Sequence, residues 1–400
     1  MSQDVEEIDN KFIEVAGTSE DEQDFGSIAS TEIASVAIAT TDWTTETILS
    51  QLVKGNIDLN PSFQRRDAWE IKRKSQFIES LILGLPVPQI VLAEKIEHKG
   101  TYIVLDGKQR LLSLRQFTSD VSDPDFRPFK LANLVVRTDL NNKTYKDLKE
   151  DLHFRTDVTS LENAGIRAVV LRNCKSEKLL GHIFLRLNMG SKSLSPQELR
   201  QALHPGPFLK FADDSASANK TISEILGKNT PDFRMRDVEL IIRYFSFRYN
   251  LASYHGNLKE FFDESCKNFN DKWVDISRIF EDDIKQLDLA HDLIKEAFGE
   301  NYNYGKWLSH NLRFETRFNR AVFDILIIFA ADKSRHDIVI KNPALMVKAF
   351  KVLCESDSRF LESIERTTKS IESTKYRITK WFLQMSTEYK HNFEPPQIAV

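Results

Sequence analysis

The sequence predicts an α+β chain, in which a region mixing strands with helices is followed by an all-helical region. Three observations lead there. Short apolar runs bounded by turn residues, "PQIVLAE", "TYIVLDG" and "IRAVVLRN", read as strands. Around them, "DAWEIKRKSQFIESLILG" and "LLSLRQFT" carry apolar residues at helical spacing. Past Asn173 only the helical period remains, in segments such as "SPQELRQAL", "RDVELIIRYFSFRY", "NLKEFFDESCKNF", "FNRAVFDILIIFAA" and "TKYRITKWFLQMSTEY". The change of character falls between about 175 and 205, and the expected division is 1–40, 41–190 and 191–400.

The first segment is expected to be a disordered acidic tail. Its opening 32 residues hold ten Asp or Glu against a single basic residue, Lys11, and few large apolar groups that could offset the entropy of ordering. From Thr41, "TTETILSQLVKG" predicts a short amphipathic helix ending at Gly55, and "NIDLN" a short strand before Pro61. Trp69, Phe77, Ile78, Leu81 and Ile82 then recur at helical spacing, with Asp67 as the expected N-cap and Gly84 as the stop. "PQIVLAE" and "TYIVLDG", separated by the turn-like "KIEHKG", are expected to be neighbours in a sheet.

Bulk properties exclude several classes. Four hundred residues with 41% hydrophobic content suffice for a substantial core. The formal charge is −4, of which the acidic opening contributes −9, so the remainder carries about +5. That bias permits a nucleotide or nucleic acid as partner without demanding one. Cys174, Cys266 and Cys354 are odd in number and far apart, so no disulfide framework or metal cluster is implied, and a cytoplasmic location is expected. No signal peptide or spanning apolar stretch is read, so no membrane partner is expected. The nine histidines show no pair at metal-ligand spacing, and neither a phosphate-loop nor a nucleophile-elbow motif is present. The helical region's Phe245, Phe247, Phe261, Phe262, Phe323 and Phe329 read as core, although "RYFSFRY" could also line a partner groove.

Chemistry is suggested at Asp106, Gly107, Lys108, Gln109 and Arg110. A buried strand ending in Asp-Gly and followed directly by a helix points the free N–H groups of the first helical turn outward, where they attract anions. Gly107 lets a phosphate approach the backbone, Lys108 and Arg110 add positive charge, and Asp106 either holds a divalent cation or orients Arg110. Upstream, "NPSFQRRDAW" sets Gln64, Arg65 and Arg66 in a row before a helix start, where positive charge is unfavourable unless an anion is near. The alternative at that motif is a pair of arginines that are solvated or paired with Asp67 and Glu70. Trp69 reads as core in preference to a base-stacking platform. In "NMGSKSLSPQELRQAL", Ser195 and Glu198 spell a capping box that needs no chemistry, preceded by a polar loop with Asn188, Gly190 and Lys192.

"NPSFQRRDAW", "FIESLILGLPVP" and "VLDGKQRLLSL", in that order, resemble the N-terminal domain family of the GmrSD-type restriction endonucleases, and Arg186, Asn188, Gly190, Leu194, Glu198, Leu199 and Arg200 fit a later family feature. The resemblance covers about Ile48 to Leu203. It implies a ParB/sulfiredoxin-like fold for 41–190 and a nucleotide site in which Gln64, Arg65, Arg66, Gly107, Lys108, Gln109, Arg110 and Asn188 hold a nucleoside triphosphate with Mg2+. By the same resemblance Asp106 would be the metal ligand, and Asp106, Arg110 and Arg65 the residues acting on the transferred phosphoryl group. There are two departures from the family pattern. Lys108 replaces the first glutamine of Asp-Gly-Gln-Gln-Arg, and no His-Asn-His nuclease signature follows residue 205. The implied function is a nucleotide-binding and NTP-hydrolysing module of a prokaryotic anti-phage defence or restriction system, acting with a separate nuclease or ATPase effector. Two alternatives stand beside it: a non-catalytic DNA-binding or adaptor module of ParB-like fold, and a metal-dependent nuclease using Asp106. Assembly as a homo-oligomer is left open.

Overall fold

A four-stranded mixed sheet organises the first part of the chain. The computed structural model describes residues 36–59, 69–174, 179–183, 195–366 and 368–398. Strands β1 (Ala37–Thr44), β2 (Ile90–Glu94), β3 (Tyr102–Asp106) and β4 (Gly165–Arg172) lie in the order β1-β4-β2-β3. β2 and β3 pair antiparallel, as expected of adjacent strands joined by a turn, and β1 pairs antiparallel with β4. β2 and β4 are parallel, which requires a long connection. Helices α1 (Thr45–Val53), α2 (Ile71–Ile82), α3 (Lys108–Phe117), α4 (Tyr145–Glu150) and α5 (Arg155–Asn163) complete this layer, the last three lying between β3 and β4.

Alternation along the strands divides the apolar side chains between two faces. Ile90, Leu92, Tyr102, Val104, Ile166, Ala168 and Val170 share one core with Phe77, Ile78, Leu111, Leu114, Phe117 and Leu161 of the helices. Val91, Ala93, Ile103, Leu105 and Leu171 face the other way and pack with Leu199 of α6 (Pro196–Leu203).

Three local expectations are corrected. The helix expected from Thr41 begins at Thr45, because residues 37–44 pair along their whole length with β4, and Thr44 caps the helix by accepting the Thr47 N–H at 3.2 Å. The same strand takes up the last residues of the segment expected to be a tail. "NIDLN" contributes only an isolated bridge between Ile57 and Tyr102. Asp67, the expected N-cap of α2, lies outside the described residues; the helix starts after Glu70, with no side-chain cap.

The chain divides into two compact units between Leu203 and His204. The second is built of helices α7 (Pro207–Ala218), α8 (Lys220–Leu226), α9 (Arg236–Tyr249), α10 (Leu258–Asp271), α11 (Trp273–Phe298), α12 (Arg320–Ala330), α13 (Lys333–Val339), α14 (Ala344–Ser356), α15 (Ser358–Glu365) and α16 (Ile371–Tyr389). A two-residue hairpin, Trp307–Leu308 against Arg313–Phe314, interrupts the helices. No described helix is long and apolar enough to cross a membrane. Phe245, Phe247, Phe261, Phe262, Phe323 and Phe329 are all buried, as their spacing predicts, so both phenylalanines of "RYFSFRY" are core, while its Tyr249 is 42% exposed. Phe245 stacks on Phe280 at 4.1 Å between ring centroids.

Charge is also buried in this unit. Arg243 on α9 donates to both carboxylate oxygens of Asp324 on α12, at 2.6 and 2.7 Å, and Arg320 donates to Glu239 at 3.0 and 3.2 Å. The Arg377 guanidinium lies 3.9 Å from Asp324 and donates to the Thr368 carbonyl at 2.6 Å. Paired charges of this kind contribute little net stability, but deleting one partner strands the other without solvent. Asp324→Ala should therefore cost about 3–5 kcal/mol in urea unfolding, while Asp324→Leu combined with Arg243→Met should cost much less.

Candidate functional site at the start of α3

β3, one glycine and the first turn of α3 set the geometry. Pairing between β2 and β3 is irregular: Leu92 faces Val104 while Val91 faces Asp106, so β3 carries an extra residue just before its end. Gly107 has φ 93°, and a Cβ there would lie 2.6 Å from Ile90 Cγ2. Both the left-handed backbone and the close approach of β2 require glycine. The turn then opens into α3, which has no side-chain cap and no acidic residue in its first turn. Its start thus presents the positive end of the helix dipole with no acidic residue of its own first turn to offset it.

Asp106 and Arg110 form one unit across the turn. Asp106 Oδ1 accepts the Gly107 N–H at 2.7 Å, and Oδ2 accepts from Arg110 Nη2 at 3.0 Å. The same nitrogen donates to the Gln89 carbonyl at 2.9 Å. Asp106 is one-third exposed, whereas the Arg110 side chain is 12% exposed and its buried Nε lacks a partner. The arginine is therefore held at its tip and unsatisfied along its edge.

Lys108 is engaged differently from the phosphate role its charge suggests. Its ammonium donates to Glu198 Oε1 on α6 at 2.7 Å, and both side chains are 6% exposed. The other carboxylate oxygen of Glu198 accepts the Ser195 N–H at 2.7 Å, while the Glu198 N–H donates to Ser195 Oγ at 3.2 Å. The capping box read from the sequence is present, and its glutamate also neutralises Lys108. The sequence carries a signal for this second role, since a lysine in place of a neutral glutamine within a buried turn calls for a carboxylate nearby.

Further buried polar atoms lie on the two helices that this ion pair joins. Gln109 Oε1, Gln197 Nε2 and Gln201 Oε1 have no hydrogen-bond partner, although Gln197 Oε1 accepts from Arg200 Nη1 at 2.6 Å. Each such atom costs about 1–3 kcal/mol while it remains unsatisfied. Gln64, Arg65, Arg66 and Asn188 lie outside the described residues.

Other polar residues of the "FIESLILG" helix brace the scaffold. Glu79 accepts the N–H groups of Val136 and Arg137 at 3.2 and 2.7 Å, and Lys74 Nζ donates to Gln116 at 2.8 Å. Trp69 packs against the core with its edge on Phe77, in keeping with a core role. Among the described residues no group of three or more His, Cys, Asp or Glu side chains could hold a metal ion. Asp106 nonetheless fits a magnesium ion that arrives with phosphate oxygens, because such an ion needs only one or two protein carboxylates and this one is partly exposed.

The Lys108–Glu198 pair yields a stability test. Lys108→Met should destabilise the protein by about 3–5 kcal/mol by leaving Glu198 buried without its counter-ion, whereas Lys108→Gln with Glu198→Gln should cost clearly less. Urea unfolding of the Lys108→Gln and Glu198→Gln singles and of their double measures the coupling.

Comparison with curated proteins and with solved structures found no match. Residues 47–205 match the family model described as the GmrSD restriction endonuclease, N-terminal domain. The matched segment runs from α1 through α6, including Asp106–Arg110 and Glu198 but not β1, and residues 47–205 of this chain form a domain of that family.

Proposed function

We propose that this chain is a nucleoside-triphosphate-binding and hydrolysing module of a restriction or anti-phage defence system, acting with a separate nuclease or ATPase effector. The observation that carries the reading is the uncapped start of α3, entered through a glycine that presses on β2 and edged by an arginine whose buried Nε has no partner. A phosphate group supplies what this turn lacks: negative charge at the helix start and acceptor oxygens for Arg110 and the first-turn N–H groups. Membership of a restriction endonuclease domain family supports the setting.

In this reading Arg110 and Arg65 bind the phosphoryl oxygens and stabilise the charge that develops on them during transfer. Gln64, Arg66 and Asn188 complete the phosphate grip, and Gln109 orients the ligand. Lys108 contributes indirectly, through its pair with Glu198. Asp106 keeps Arg110 in place and offers an oxygen to the magnesium ion of the nucleotide. When bound, that ion would draw negative charge from the phosphates.

Titration calorimetry with magnesium and a nucleoside triphosphate, together with a phosphate-release assay, tests this proposal. Arg110→Ala and Arg65→Ala should each weaken binding by about tenfold or more, the loss of a charge-assisted contact, and lower turnover further. The proposal is abandoned if the wild type neither binds nor turns over a nucleotide, or if both variants match it.

A further inference from the structure

β1 lies at the edge of the sheet, and among the described residues its backbone pairs with β4 alone. The register tells which of its groups β4 uses. Thr44 faces Gly165, and one step further the Thr45 N–H donates to the Ala164 carbonyl at 2.9 Å. Hydrogen-bonded positions alternate along an antiparallel ladder, so Ala37, Ala39, Thr41 and Trp43 bond towards β4 as Thr45 does. Ile38, Thr40, Asp42 and Thr44 therefore turn their N–H and C=O groups towards the open edge.

Edge strands normally carry a device against strand addition: a lysine, a proline, a bulge or a very short run. β1 has none of these. It is eight residues long, "AIATTDWT", and it pairs with β4 from Ala37 to Thr44 without a register shift. Its one charge, Asp42, is matched by Arg167 of β4 at 3.0 Å. Ile38, one of the outward-bonding residues, is 67% exposed.

We propose that the open edge of β1 pairs antiparallel with β1 of a second copy, about a two-fold axis at Thr41, joining the two four-stranded sheets into one across a homodimer. That centre sets Ile38 opposite the partner's Thr44 and Thr40 opposite the partner's Asp42, so every outward N–H meets an outward C=O. The two exposed Thr41 side chains meet at the axis as a cross-strand threonine pair. Charge favours this direction of pairing over a parallel seam, which would bring two opening segments of −9 side by side. In the antiparallel seam the segments join their strands at Val36, five positions either side of the axis and so about 34 Å apart, far beyond the Debye length of about 8 Å.

Sedimentation velocity of the full chain from about 1 to 300 µM tests the proposal. A seam of one strand pair is small for an interface, so a reversible monomer–dimer equilibrium with Kd of about 1–100 µM is expected. Thr40→Pro removes an outward N–H and no bond to β4, so it should weaken the dimer by about tenfold or more while circular dichroism and the urea midpoint stay close to wild type. Under mild oxidation Thr41→Cys should form a disulfide-linked dimer, because opposed residues of a non-hydrogen-bonded pair lie about 4.5 Å apart at Cα. Ile38→Cys, about 20 Å from its counterpart, should not. The native cysteines are buried and give no background. A monomer at every concentration, a dimer unchanged in folded Thr40→Pro, failure of Thr41→Cys to link, or linkage of Ile38→Cys at the same rate overturns the proposal. Where Thr40→Pro proves unfolded, the two cysteine variants decide.

Discussion

The buried contact between Lys108 and Glu198 is the constraint on which the candidate site depends. A lysine at the first position of a helix is disfavoured by the dipole, and burying it raises the penalty. Glu198 offsets both costs, and it also satisfies a free N–H at the start of α6. One carboxylate thereby ties together the starts of two helices that are 90 residues apart in sequence. Gln109 and Gln197 adjoin the two charged residues and Gln201 lies one turn from Glu198, whereas Arg110 is held from the other side, by Asp106 and the Gln89 carbonyl.

Much of this architecture is legible in the sequence where the determinants are local. β2, β3 and α3 follow from apolar runs punctuated by Asp106-Gly107, and the capping box at Ser195 and Glu198 follows from spacing alone. β1 escaped because it is an edge strand with most of its residues exposed, so it lacks the alternation that marks a half-buried strand. Its identity rests on pairing with β4 and on contacts such as the Asp42–Arg167 ion pair at 3.0 Å, which no local pattern encodes. The site was half legible for the same reason. Sequence places Asp106 beside Arg110, but it cannot show that Lys108 spends its charge on a distant glutamate.

The second unit makes the complementary point about charge patterns. Arg243, Arg320 and Arg377 are charged residues on helices, yet all three are buried among carboxylates and carbonyl oxygens. Their pairing is selective in a way that apolar packing is not: a shift of α12 relative to α9 by one turn would strand Asp324 and Glu239 together. Such residues favour one arrangement of the helices over its neighbours more than they add to its depth.

Balancing the charges at the site narrows where its affinity for anions can come from. Asp106 is matched by Arg110, and Lys108 by Glu198. The formal charges of the described turn therefore cancel, and what remains there for a phosphate is the uncapped, positive start of α3. Further positive charge in the proposed site has to come from Arg65 and Arg66, or from a magnesium ion that offsets Asp106 and frees Arg110 for the ligand. On that argument the lysine that distinguishes this chain's Asp-Gly-Lys-Gln-Arg turn leaves the charge seen by the ligand nearly unchanged. What it adds is a buried ion pair between the start of α3 and α6.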